Sequence, residues 1–158
     1  MDPGIRIRKI GEPDAMAAGN HRYLVQLPDG WSDQTIHTFM GPDEGGLQHQ
    51  ILLGIDETGG GSDLESYAEE RIQAHLTAQP ELETLKREAS VLPSGDPVYE
   101  WTFKLVTSDD AVLFHRMLFL KRHGCLYSFS GSFTKKTLQT LGSDFVKLVD
   151  SLQRDGGA

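Results

Sequence analysis

Residues of reactive type occur in this chain, but none of them falls at a spacing that builds a reaction site. Gly54 to Ser62 (Gly-Ile-Asp-Glu-Thr-Gly-Gly-Gly-Ser) leads from an alternating stretch into a helical one, the place where a phosphate-binding loop belongs. It echoes the Gly-x-x-x-x-Gly-Lys-Ser/Thr spacing. However, Gly60 or Gly61 stands where the lysine is needed, and Asp56 and Glu57 would repel phosphate. The stretch reads as a flexible loop. Six histidines are present, yet no two sit four apart on a helical segment with a carboxylate in a ligand pattern. His37 and His49 fall on neighbouring strands and could approach one another; structural roles are the favoured reading over zinc. Ser128, Ser130 and Ser132 alternate along a strand without a nucleophile-elbow motif, which makes them a polar face or a groove wall. Glu65, Glu69 and Glu70 lie on one helix and read as solvated. No catalytic residue, metal ligand or cofactor contact is expected, so the chain is read as a binder and not an enzyme.

Composition narrows the class of partner. The 158 residues fit one domain with a core of its own, at 38% hydrophobic and 24% charged content. A formal net charge of −8 disfavours nucleic acid, and Lys121-Arg122 and Lys135-Lys136 are isolated pairs with no basic cluster around them. Cys125 is the single cysteine, which excludes an internal disulfide and fits a small core residue. The longest apolar run, Ala111–Leu120, is broken by His115-Arg116 and is far shorter than a membrane span. Arg6, Arg8 and Lys9 have no apolar segment behind them, so no export signal is read and the expectation is a cytoplasmic protein that does not insert into membranes.

The elements that must position any site follow from periodicity. Residues 1–20 form an extension rich in Gly, Ala, Pro and charge. A single domain over residues 21–153 follows, then a short tail over residues 154–158. His21–Leu27 and Gln34–Met40 read as strands around a Pro28-Asp-Gly30 turn, with Trp31 offering apolar surface where the chain re-enters the sheet. The Gly41–Gly46 cluster is a turn and Leu47–Asp56 a third strand. Ser62 and Glu65 fit a capping box for a helix ending near Gln79, with a stripe of Leu64, Tyr67, Ala68, Ile72 and Leu76. His75 lies in that stripe as a core histidine. Strands follow at Thr84–Val91, Asp96–Val106, Ala111–Arg122 and Cys125–Phe133. A last helix, Lys135 to about Gln153, carries Leu138, Leu141, Phe145, Leu148, Val149 and Leu152 on one stripe. Hairpins with helices packed on them make an α+β fold with a mainly antiparallel sheet of six to seven strands.

Alternation separates the faces of that sheet. Ile51, Leu53 and Ile55 share one face and suit a helix above them. Gln50, Leu52 and Gly54 point the other way. Ile36, Thr38 and Met40 lie on one side of the preceding strand, with His37 and Phe39 on the other. The Ala111–Arg122 strand is apolar on both faces, which a sheet with one face in water does not need. Either the chain's own second helix and a homodimer contact cover the second face, or that face is a mixed groove of apolar, hydroxyl, amide and glycine groups.

The Tyr23–Phe39 stretch, the Asp63–Gln79 helix, Tyr99-Glu-Trp101, Phe114–Arg122 and the final helix together resemble the DcrB-related family, most closely its Eag branch. The resemblance covers about residues 21 to 153. It implies a PsbP-like α/β/α sandwich and a homodimeric adaptor chaperone. Such a chaperone holds the apolar N-terminal transmembrane segments of a type VI secretion effector on a concave sheet face before export. Ile36, Thr38, Gln50 and Gly54, with Arg116, stand at the matching positions, and Leu52 joins the expected groove between Gln50 and Gly54 on the same strand face. Arg116 departs from a neutral groove, and Glu100 is an acidic group with which it can pair instead. Trp101 is left out of the site because the face it occupies is not fixed by its strand's pattern. Two other readings stay open: a PsbP-like binding module with a different protein partner, and a small-ligand carrier with a cavity under the sheet.

Overall fold

Alternating stretches and helical stretches sort into one antiparallel sheet with a helix on each side. The structure is a computed structural model that describes residues 26–31, 34–56, 61 and 63–152. The elements are β1 (Ile36–Glu44), β2 (Leu47–Asp56), α1 (Leu64–Ala78), β3 (Glu83–Val91), β4 (Pro97–Val106), β5 (Val112–Arg122), β6 (Cys125–Phe133) and α2 (Lys135–Asp150). The strand order is β1-β2-β6-β5-β4-β3, with every neighbouring pair antiparallel. This is the expected α+β sandwich, with six strands described.

The helices pack on opposite faces and produce two cores. Under α2 lie Leu53, Leu118, Leu120, Tyr127, Phe129 and Phe133, closed by Phe145 and Val149 of the helix. Ile51 and Ile55 join them, as their alternation with Leu53 predicts. Under α1 lie Tyr99, Trp101, Phe103, Met117 and Phe119, closed by Ala68 and Ile72. The central strand β5 contributes to both cores, and this explains why it is apolar on both faces. The α2 stripe is the expected one; its start is fixed by a Thr134–Thr137 capping box.

Several local expectations need correction. The first expected strand falls mostly on residues outside the described ones, and Gln26 and Leu27 are not strand. The Pro28 turn closes, with the Trp31 N–H donating to the Pro28 carbonyl at 3.1 Å and Gly30 at φ +88°. Trp31 itself is 72% exposed and does not pack on the sheet. The Gly41–Gly46 cluster is not one turn. β1 continues through it, a register shift between Met40 and Asp43 absorbs the irregularity, and only Gly45-Gly46, both at positive φ, makes the hairpin loop. Asp63, not Ser62, caps α1, its carboxylate accepting from the Ser66 N–H at 3.1 Å. Ser62 lies outside the described residues. His75 is exposed and not a core residue, although its ring rests 5.7 Å from that of Trp101.

Candidate functional site: the uncovered half of one sheet face

A helix cannot cover a six-stranded sheet. Five gaps of about 4.8 Å span about 24 Å, whereas a helix with its side chains is about 10 Å across. α1 packs over β4 and β5. On the same face, β1, β2 and β6 have no helix of this chain above them among the described residues.

Register identifies what they present, because residues directly opposite each other share a face. Thr38 pairs with Leu52, Leu52 with Ser130, Ser130 with Met117 and Met117 with Trp101. Ile36 pairs with Gly54, Gly54 with Ser128 and Ser128 with Phe119. Met40 pairs with Gln50, and Ser132 pairs with His115. The rows run from the open half directly under α1. Five of the six expected residues therefore come together: Ile36, Thr38, Gln50, Leu52 and Gly54. Ile36 and Met40 are 61% and 63% exposed on this one face, which leaves apolar area for a partner to bury. A Cβ on Gly54 would lie 3.0 Å from the Ser128 hydroxyl, so glycine keeps the floor of the face open at that point.

Arg116 does not join them. Its row is Phe39 opposite Ile51, Ile51 opposite Gly131, Gly131 opposite Arg116 and Arg116 opposite Thr102, on the α2 face. Its Nε donates to Glu100 Oε2 at 2.9 Å, and its guanidinium sits 5.9 Å from the Phe145 ring. The displacement is one of parity along β5: Arg116 shares its face with Leu118 and Leu120 under α2, and Glu100 neutralises it there. Trp101 lies on the same face as the open half, but α1 buries it completely.

The two sheet areas not packed under a helix differ in kind. On the α2 face, β3 and β4 carry Glu83, Lys86, Glu88, Glu100, Thr102 and Lys104, tied by ion pairs to one another and, at Glu100, to Arg116. Lys86 lies 3.6 Å from Glu100 and Lys104 lies 3.3 Å from Glu83. Burial raises the pKa of the Glu100 carboxyl, but the hydrogen bond and charge of Arg116, with Thr102 and Lys86, outweigh it and hold the group below the ordinary glutamate value. The open half on the α1 face carries no charge between Ile36 and Met40, Gln50 and Gly54, or Ser128 and Ser132. Thr38, Gln50, Ser128 and Ser130 make no side-chain hydrogen bond to other described residues, whereas Ser132 meets His115 Nδ1 at 2.9 Å. Free amide and hydroxyl groups among exposed apolar ones are what a partner with its own polar groups would meet. At one end α1 closes the face through Arg71, 3.6 Å from Asp56 and over the Tyr67 ring. At the other end His115 stacks flat on Phe103, at 5.0 Å and 3°.

His49 and His37 form no metal site. His37 faces Leu53, while His49 is buried, with Nδ1 2.9 Å from the Pro42 carbonyl and Nε2 2.8 Å from Thr137 Oγ1. Among the described residues no group of three or more metal-ligating side chains converges. His49 also borders a cavity of about 200 Å³ between α2 and the β1–β2 hairpin, lined mainly by Phe39, Ile51, Phe133, Leu141 and Phe145. Met40, Ser128, Ser130 and His115 are site members that the expected set omits. Continuing the Ile36-Thr38 and Ser128-Ser130 alternations would have placed the first three.

Known proteins bear on this geometry at the level of fold and family. No curated protein matches the chain. The crystal structure of PA94, a protein of unknown function from Pseudomonas aeruginosa, is similar with a TM-score of 0.64 at 18% identity, over 85% of this chain and 93% of that one. The solution structure of CyanoP, the PsbP of the cyanobacterium Synechocystis, aligns at a TM-score of 0.43 and 12% identity, over 80% of this chain and 96% of that one. No described helix is long and apolar enough to cross a membrane. The DcrB sequence pattern matches residues 24–151, from before the Pro28 turn to the end of α2, and the chain belongs to the DcrB family.

Proposed function

We propose that the open half-face is a protein-binding site and that its occupant is the apolar N-terminal transmembrane region of a type VI secretion effector, shielded before export. The observation that carries the reading is the pair of sheet areas with no helix above them among the described residues. One is charged and internally paired, and the other is neutral, with exposed Ile36 and Met40 beside Thr38, Gln50, Ser128 and Ser130, whose side chains make no hydrogen bond to other described residues. A transmembrane segment in water exposes large apolar side chains, each worth about 1.5–3 kcal/mol when buried. It also carries small and polar residues that pack and hydrogen-bond closely with other helices. A neutral face of apolar, hydroxyl, amide and glycine groups answers both needs, and a charged one does not. The resemblance of the chain to the Eag branch selects the effector among proteins with such segments, and it supports a homodimer working in the cytoplasm.

The test is co-expression with the product of an adjacent reading frame that begins with apolar helices. Ile36→Asp and Thr38→Asp change exposed β1 positions, so each should fold normally and lose the effector segment in co-purification. Retention of the segment by both folded variants would remove the half-face as its site.

A further inference from the structure

One titratable side chain borders the open half-face. His115 lies where the open half meets the α1-covered core, in register with Ser132 on one side and Phe103 on the other. Its Nδ1 is 2.9 Å from the Ser132 hydroxyl, and its ring stacks on Phe103. The stack continues from Phe103 to Trp101 at 4.1 Å and from Trp101 to His75 of α1 at 5.7 Å. Two histidines therefore cap a pair of aromatic rings, one on the helix and one beside the partner surface.

We propose that occupation of the half-face by an uncharged partner surface is proton-linked through His115, the partner seating on the neutral imidazole and leaving as that ring takes up a proton. This rests on the reading of the half-face as a partner site. The groups around His115 provide no counter-charge. From α1 the titratable neighbour is His75, itself a potential cation, and beyond it Arg71 is engaged by Asp56. β4 offers Phe103 and Trp101, β6 offers Ser132, and β5 on this face offers Leu113 and Met117. Arg87 on β3 is held by Glu69. Stacking on Phe103 favours a cation modestly, but a partner that removes water from an unpaired imidazolium opposes it more strongly.

In the free chain, burial first and then the charge of His75 hold the His115 pKa below the ordinary histidine value of 6.5. A seated apolar partner deepens that burial and lowers the value further. A group whose pKa falls on binding contributes affinity that is fully present above its free value. That affinity is lost as pH falls from the free value toward the bound one, at about tenfold per pH unit.

Nile red, an uncharged apolar dye, serves as the probe with the full chain. Fluorescence titration should show affinity that is flat above pH 6.5 and falls below it, and NMR titration should place the His115 pKa lower with dye than without. His115→Gln, whatever its affinity above pH 6.5, should bind dye with no fall in affinity below that pH. Wild-type affinity independent of pH, an unchanged His115 pKa on dye binding, or an unaltered pH dependence in His115→Gln would each overturn the linkage. Ile36→Asp separates the two levels. If it leaves dye binding intact, the half-face reading fails and the linkage fails with it; if it abolishes dye binding while pH has no effect in the wild type, only the linkage fails.

Discussion

Replacing Ile36 tests the half-face quantitatively, because the side chain contributes little to the fold and much to a partner. Burying an isoleucine fully is worth about 1.5–3 kcal/mol. With 61% of Ile36 still exposed, a partner stands to gain about 1–2 kcal/mol there. Ile36→Ala removes most of that gain, so the affinity for the effector segment should fall about fivefold to thirtyfold. Ile36→Asp adds a carboxylate that the partner must strip of water, a cost of several kcal/mol that brings the loss beyond about a thousandfold. Neither variant should cost the folded chain more than about 0.5 kcal/mol, since an exposed position away from the two cores is being changed. That corresponds to a melting shift of about 1–2 °C for a domain of this size. Calorimetric or fluorescence titration of purified variants with the segment held in mild detergent measures the affinity, and thermal unfolding measures the fold. Affinities within twofold of wild type for Ile36→Asp, with an unchanged melt, would refute the reasoning. An Ile36→Asp variant that melts far below wild type would show that Ile36 supports the core.

The opposite face should behave in the reverse sense. Arg116→Met strands the buried Glu100, leaving only Thr102 and Lys86 beside it, and should cost about 3 kcal/mol in urea unfolding while leaving effector binding unchanged. Glu100 has a folded pKa below the ordinary glutamate value of 4.5, so its contribution is present above that value and is lost as pH falls through the lower folded one. Urea midpoints should therefore drop below about pH 4.5 in the wild type, and less steeply in Arg116→Met. Thr137→Val removes the hydroxyl that meets His49 Nε2 and accepts from the Thr134 N–H, and should cost about 1–3 kcal/mol by the same assay. Asp63→Ala should cost about 1 kcal/mol, through loss of the α1 cap and with no change in binding.

Much of this architecture is legible in residue order because period and burial agree. The α2 stripe, the Ile51-Leu53-Ile55 face and the two-sided β5 all carry enough apolar side chains to fix their orientation. Those same alternations place Ile36, Thr38, Gln50, Leu52 and Gly54 together on the second face. What period does not encode is which strands a helix covers. α1 sits over β4 and β5 because Trp101, Phe103, Met117 and Phe119 meet there, a convergence of residues distant in sequence. Arg116 enters the expected set through the resemblance alone; the register opposite Gly131 and Thr102 puts it on the other face, where it pairs with Glu100. The Gly41–Gly46 stretch looked like a turn because bulge and turn chemistry share glycine and proline. The hydrogen bonds of His49 to Pro42 and Thr137 show β1 continuing through the bulge and tied to α2.

The central claim is that the neutral half of the α1 face, and not the charged area on the α2 face, receives the effector segment. A photoreactive benzoylphenylalanine placed at Thr38 or, in a separate variant, at Glu88 reports this directly when each chain is co-expressed with that segment and irradiated. Thr38 should yield a crosslinked adduct and Glu88 none. Efficient crosslinking from Glu88 with none from Thr38 would contradict the assignment.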